Sequence, residues 1–189
     1  MKKSGNKREE FIETASKLFE VKGYNATGLN EILKESNAPK GSLYYYFPKG
    51  KEQLGCEAIE LAGEKIINKL KDVLSTHENI VEGLIANINE IAEIIDDEKK
   101  TRDMTISLIA LETYSSSEVL RKKCEKVFIE LEKIYYDAFI DIGMKSEEAA
   151  YKSSVIQSMM EGAITTSLVK KNGSSLRNIA KIIPEIIKL

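Results

Sequence analysis

One histidine, two cysteines and no apolar run of eighteen residues leave this 189-residue sequence poorly equipped for several classes of function. A zinc site needs more nitrogen or sulfur ligands than His77 and two distant thiols supply, so no metal is expected. Cys56 and Cys124 lie far apart with no pairing motif, and buried, reduced thiols are expected over a disulfide. The opening residues, MKKSGNKREE, lack an apolar signal region, and nothing downstream is long enough to span a bilayer, which implies a cytoplasmic protein without a membrane partner. His77 sits in the polar segment STHEN, and no Ser or Cys paired with a base and no phosphate loop can be read. An enzyme is therefore not expected, and no catalytic residue or cofactor is assigned.

What is present is a hydrophobic content of 42%, ample for the core of one or two small domains. The net charge of −2 argues by itself against a nucleic-acid binder. Its distribution argues the other way. Residues 1–54 carry ten Lys/Arg against seven acids, a balance of +3, and the remainder carries eighteen against twenty-three, a balance of −5. A basic head on an acidic body fits a duplex-binding module joined to a second domain of different purpose.

Spacing places a first helix over Lys7–Val21, with Phe11, Ala15, Leu18 and Phe19 on one face and Gly23 ending it. Its amino-terminal cations are expected to form a solvated tail, contact with a flanking phosphate or the minor groove being the alternative. The stretch from Thr27 to Leu54 then reads as two short helices meeting at a tight turn. Thr27 is placed to cap the first, which carries Leu29, Ile32 and Leu33 on one face and ends near Ser36. Asn37 tolerates the turn, and Pro39 suits the first position of the next helix. In that helix, Lys40–Phe47, the period turns Leu43 and Phe47 inward and leaves Lys40, Ser42, Tyr44, Tyr45 and Tyr46 around the rest of the surface. Gly41 costs roughly 1 kcal/mol against alanine inside a helix, which points to close approach by something such as a duplex backbone. Outward phenols could donate to phosphates or pack on thymine methyls. The alternative is an amphipathic hairpin with half-buried tyrosines.

The segment K-G-S-L-Y-Y-Y-F-P-K-G-K-E-Q-L resembles the recognition helix and following helix start of the TetR family of bacterial transcriptional repressors. Upstream, Ala15, Leu18, Phe19, Gly23, Tyr24, Thr27 and Gly28 match a second pattern of that family, so the resemblance covers about the first 55 residues. Pro48, Lys49 and Gly50 stand between Phe47 and Lys51 where the usual pattern has two residues. The wording F-P-x-G-K-E-Q-L is similar to a subgroup containing lincomycin-responsive and flavonoid-responsive repressors. The resemblance implies DNA contacts from Thr27, Lys40, Gly41, Ser42, Tyr44, Tyr45, Tyr46 and Lys51. Of these, Thr27, Tyr46 and Lys51 would anchor the phosphate backbone.

Beyond the head, a long helix is expected from Lys49 or Gly50 to about Leu74, continuous enough to act as a lever. Further helices follow at about Glu78–Ile95, Arg102–Thr113, Ser117–Ile142, Ser146–Lys171 and Ser175–Ile187. With no alternating strand pattern the fold class is all-α, about nine helices, with a helix-turn-helix head at 1–50 and a ligand-binding and dimerisation body at 51–189. The penultimate helix mixes small and apolar residues, among them Val155, Met160 and Ala163, and the last carries Ile179, Ile182 and Ile186. TetR-like proteins form a four-helix dimer interface from these two helices, which makes a homodimer the expected assembly; an internal helix pair is the alternative. Candidate lining of an effector cavity comprises Met104, Leu108, Leu111, Glu112, Phe128, Tyr135, Phe139, Met159 and Glu161, suited to a small apolar or cationic molecule or simply to core packing. The expectation is a ligand-responsive repressor that binds palindromic double-stranded DNA as a dimer. A DNA-binding architectural or cell-cycle factor without a small-molecule inducer is the alternative, and activation rather than repression fits the same head.

Overall fold

A computed structural model describes residues 7–97 and 106–188, and among them the chain forms nine α-helices and no strand. They are α1 Lys7–Lys22, α2 Leu29–Glu35, α3 Lys40–Tyr46, α4 Lys51–Ser75, α5 Ile80–Asp96, α6 Ile106–Thr113, α7 Glu118–Asp141, α8 Ser146–Lys170 and α9 Ser174–Ile186. Most expected boundaries fall within a few residues of these, and the expected start of the sixth helix at Arg102 lies outside the described residues. No helix among the described residues is long and apolar enough to cross a membrane. The helices form two compact units, one of residues 7–65 with 106–127 and the other of 66–97 with 128–188, so that the division falls inside α4 and inside α7.

In the first unit, α1, α2 and α3 close over Phe11, Phe19, Ile32, Leu43 and Phe47, all fully buried. Phe11 meets Phe47 edge-on with ring centroids 6.1 Å apart, an arrangement that aromatic quadrupoles favour. Gly23 ends α1 at φ +81°, its N–H donating to the Phe19 carbonyl at 2.9 Å. Asn37 supplies the left-handed residue of the interhelical turn at φ +46°, and the next amide, Ala38, donates back to Leu33 at 3.0 Å. Pro39 is the extended residue just before α3 rather than its first helical residue, and Phe47 is the residue just after it. The additional residue in Pro48–Gly50 is absorbed by a tight turn: the Gly50 N–H donates to Phe47 at 2.8 Å with φ +66°, and α4 starts at the next residue. Along α4, Gly55 and Gly63 leave room for Leu120 and Val127 of α7. Cys56 and Cys124 are free and buried in this unit, and burial pushes the Cys124 thiol up to about 11.

The second unit is built on α5, α8 and α9. Asp96 at the end of α5 accepts the Gly173 N–H at 2.7 Å and pairs with Arg177, tying the start of α9 to α5. α9 turns Leu176, Ala180 and Ile183 inward at spacings of four and three.

Candidate nucleic-acid interface

α3 presents two different sides. Leu43 is fully buried, as is Phe47 just beyond the helix, whereas Lys40, Gly41, Tyr44 and Tyr45 are exposed and Ser42 and Tyr46 are half-buried. Tyr45 is 79% exposed and Tyr44 43%. Tyr46 leans on the core, its ring centroid 6.4 Å from that of Phe11. A methyl group on Gly41 would meet no atom within 4 Å, so nothing inside the protein requires glycine there. The helical cost of that glycine is offset by no contact within the described residues. Lys40, at the start of the helix, adds a cation on the same exposed side.

Two of the expected backbone anchors have partners within the protein. Thr27 is fully buried; its hydroxyl donates to the Gly23 carbonyl at 2.8 Å and the Leu18 carbonyl at 3.3 Å. It does not cap α2, whose preceding residue is Gly28. The reason is that its one hydroxyl proton satisfies the Gly23 carbonyl just past the end of α1, with the Leu18 carbonyl a longer, shared contact. Lys51 turns its ammonium over the Tyr24 ring, 4.3 Å from the centroid, and donates to the Asn25 carbonyl at 3.4 Å. Burial lowers its pKa, opposed by the charge of Glu112. The cations at the start of α1 are also engaged within the protein: Lys7 donates to the Ser36 carbonyl at 2.7 Å, and Arg8 pairs with Glu57 at 2.6 Å and lies over Phe47. These cations help hold α1 against the turn of the motif and α4. Sequence periodicity carries no signal for such pairings.

A helix-turn-helix whose second helix exposes aromatic and cationic side chains matches known proteins over its whole length. Residues 11–55 match the family model described as bacterial regulatory proteins, tetR family, and residues 80–182 match that of the LmrA/YxaF-like transcriptional regulator C-terminal domain. The chain belongs to the TetR family. Among its relatives, the HTH-type transcriptional regulator LmrA of Bacillus subtilis is 38% identical over 184 residues, 97% of this chain and 98% of that protein. The uncharacterized HTH-type transcriptional regulator YxaF of the same organism is 38% identical over 188 residues, 100% of this chain and 98% of its own length. The reduced form of Escherichia coli NemR has the same fold, with a TM-score of 0.86 at 21% identity over 96% of each chain. The chain is thus a DNA-binding transcriptional regulator of the TetR family, and its curated relatives are transcriptional regulators rather than enzymes.

The candidate effector residues do not form one group. Met104 lies outside the described residues. Leu108 and Leu111 of α6 are exposed, so they line no enclosed cavity, and Glu112 faces the turn between α1 and α2. In the second unit, Tyr135 and Phe139 are buried and Phe128, Met159 and Glu161 are half-buried. Burial first, and the Glu161 carboxylate second, push the Tyr135 phenol well above its ordinary value. Glu161 also accepts from the Gln157 side-chain amide at 3.0 Å. A separate open groove of about 250 Å³ is lined by Ile129, Glu132, Lys133, Tyr136, Ala150 and Ser153, none of them among the expected lining residues.

The residues expected at a dimer interface divide in two. Met160 and Ala163 are buried in the core of the second unit, so they cannot form an outer face. Ile182 is 46% exposed, and Val155, Ile179 and Ile186 are half-buried. On α8 the exposed large apolar residues are Tyr151 and Val169, and Gly162 between them opens onto empty space.

Proposed function

We propose that the chain is a ligand-responsive repressor that binds a pseudo-palindromic operator as a homodimer and is released by a small-molecule effector. Lys40, Gly41, Ser42, Tyr44, Tyr45 and Tyr46 meet the duplex, with Tyr44 and Tyr45 entering the major groove. The observation that carries this reading is the exposure of those two phenols on a helix whose other side is sealed by Leu43. In this scheme residues 1–50 read DNA and residues 51–189 sense the effector and dimerise, and the protein works in the cytoplasm beside the chromosome.

Dimerisation is supported by a seam along α8. Tyr151, Val155, Ser158, Gly162, Thr165 and Val169 recur at spacings of four and three, and Ile179, Ile182 and Ile186 of α9 extend its apolar content. A small residue such as Gly162 lets a partner helix approach closely. Two heads roughly 34–36 Å apart then read successive grooves, giving the contact area that one short helix lacks. For the effector, Tyr135, Phe128 and Met159 offer apolar walls, and the Gln157 and Glu161 side chains favour a molecule carrying a cation or a hydrogen-bond donor. Changing the operator-competent fraction from 99% to 1% takes about 5.5 kcal/mol of preferential binding, within reach of a buried drug-sized molecule.

Titrating Tyr44→Ala against a duplex selected from random sequence by the wild type tests the reading. Weakened binding with the dimer intact supports it, and an unchanged gel shift contradicts it.

A further inference from the structure

Glu112 stands where α6 meets the reading head. α6 ends at Thr113, fully buried, with its hydroxyl donating to the Ile109 carbonyl at 2.7 Å. The preceding residue reaches the turn between α1 and α2. Glu112 Oε2 accepts the Asn25 N–H at 3.1 Å, and the Glu112 main-chain carbonyl accepts the Asn25 side-chain amide at 3.1 Å. Oε1 occupies the space that a methyl group on Gly23 would need. From α4, Lys51 donates to the Asn25 carbonyl, and the Tyr24 ring fills the room beside Gly55. The main-chain N–H, carbonyl and side-chain amide of Asn25 therefore all have protein partners, although the residue is exposed and its turn would ordinarily leave them to water. The same turn leads through Thr27, anchored on the Gly23 carbonyl, into Gly28 and α2.

We infer that Glu112 is a positioning residue for duplex binding: through Gly23 and Asn25 it fixes the α1–α2 turn, and with it the angle at which α2 and α3 meet DNA. The inference rests on the DNA-reading role of α3. A carboxylate accepting from a main-chain amide is a charge-assisted bond, shorter and stronger than its neutral counterpart, and its direction is set by the end of α6. Charge makes the role separable from electrostatics. Removing a carboxylate from a duplex-binding unit should by itself strengthen DNA binding, whereas loss of a positioning contact should weaken it.

The test uses the full-length wild type, Glu112→Ala, Glu112→Gln and Asn25→Ala with the duplex that the wild type selects from a random pool. Glu112→Ala is expected to bind about tenfold more weakly with an unchanged salt dependence and faster hydrogen exchange at the Asn25 amide. Its melting temperature should stay near that of the wild type. Glu112→Gln, which keeps an acceptor oxygen, should recover part of the affinity, and Asn25→Ala should lose part of it. Should Glu112→Ala fail to fold, the isosteric Glu112→Gln carries the test. Unchanged or tighter binding by the Glu112 variants overturns the proposal, as does a loss of affinity that only tracks a fall in melting temperature. A wild type that selects no duplex removes the reading of α3 and the positioning role together, whereas normal wild-type binding beside unaffected variants removes the positioning role alone.

Discussion

The Tyr45 ring stands edge-on to that of Tyr46, with centroids 5.0 Å apart and planes at 82°. One ring of the pair is mostly in solvent while the other leans toward Phe11, so this contact joins the exposed side of α3 to the core of the head.

The two positions should therefore separate binding from stability. Tyr45→Ala is expected to leave unfolding free energy within about 0.5 kcal/mol of the wild type while weakening duplex binding about tenfold. Tyr46→Ala should lower stability by about 1–2 kcal/mol as well, since its ring is half-buried. Urea unfolding and fluorescence anisotropy on the same samples check both.

Gly41→Ala should move the two quantities in opposite directions. The added methyl meets nothing in the protein, so the free chain gains up to about 1 kcal/mol of helix stability. The same methyl lies on the proposed duplex side, and affinity should fall. A variant that is more stable and binds equally well would show that the duplex does not approach there.

Tyr24 predicts an alkaline limb. Burial first, then the charge of Glu52, pushes its phenol from 10.0 up to about 12 in the folded chain. Because the folded pKa lies above the unfolded one, this contribution to stability is complete below pH 10 and is lost as pH rises toward 12. Tyr24→Phe keeps the ring and removes the proton. Its melting temperature should fall less than that of the wild type across that window, as scanning calorimetry can show.

Placing acids on the outer seam should part the subunits. Ile182→Glu with Val169→Glu is expected to shift sedimentation from dimer to monomer and to weaken operator binding strongly, because each head then acts alone. The monomer should keep its helical circular dichroism, since both positions are exposed in the protomer.

The helices were legible in the sequence because their buried positions recur at three and four: Phe11, Ala15 and Phe19 on α1, Leu43 and Phe47 around α3, and Leu176, Ala180 and Ile183 on α9. The exposed side of α3 followed from the same count. Partnerships between polar groups distant in sequence were not legible. Asn25 and Glu112 are 87 residues apart, and Arg8 finds Glu57 across the head, so a carboxylate expected in a cavity and a cation expected in a solvated tail both serve as internal ties. Thr27 sits where an N-cap is expected, but one position early. On α8, apolar or small residues occur on every side, so periodicity could not separate the buried Met160 and Ala163 from the exposed Tyr151 and Val169.

Chemical protection of Tyr45 tests the central claim most directly. Tetranitromethane nitrates exposed phenols, and peptide mass spectrometry reads each tyrosine separately with and without the duplex that the wild type selects. The expected result is rapid nitration of Tyr45 in the free protein and strong protection in the complex, with Tyr114, exposed and outside both the proposed duplex side and the proposed seam, reacting equally in both. Equal nitration of Tyr45 with and without bound duplex would contradict the placement of α3 in the groove.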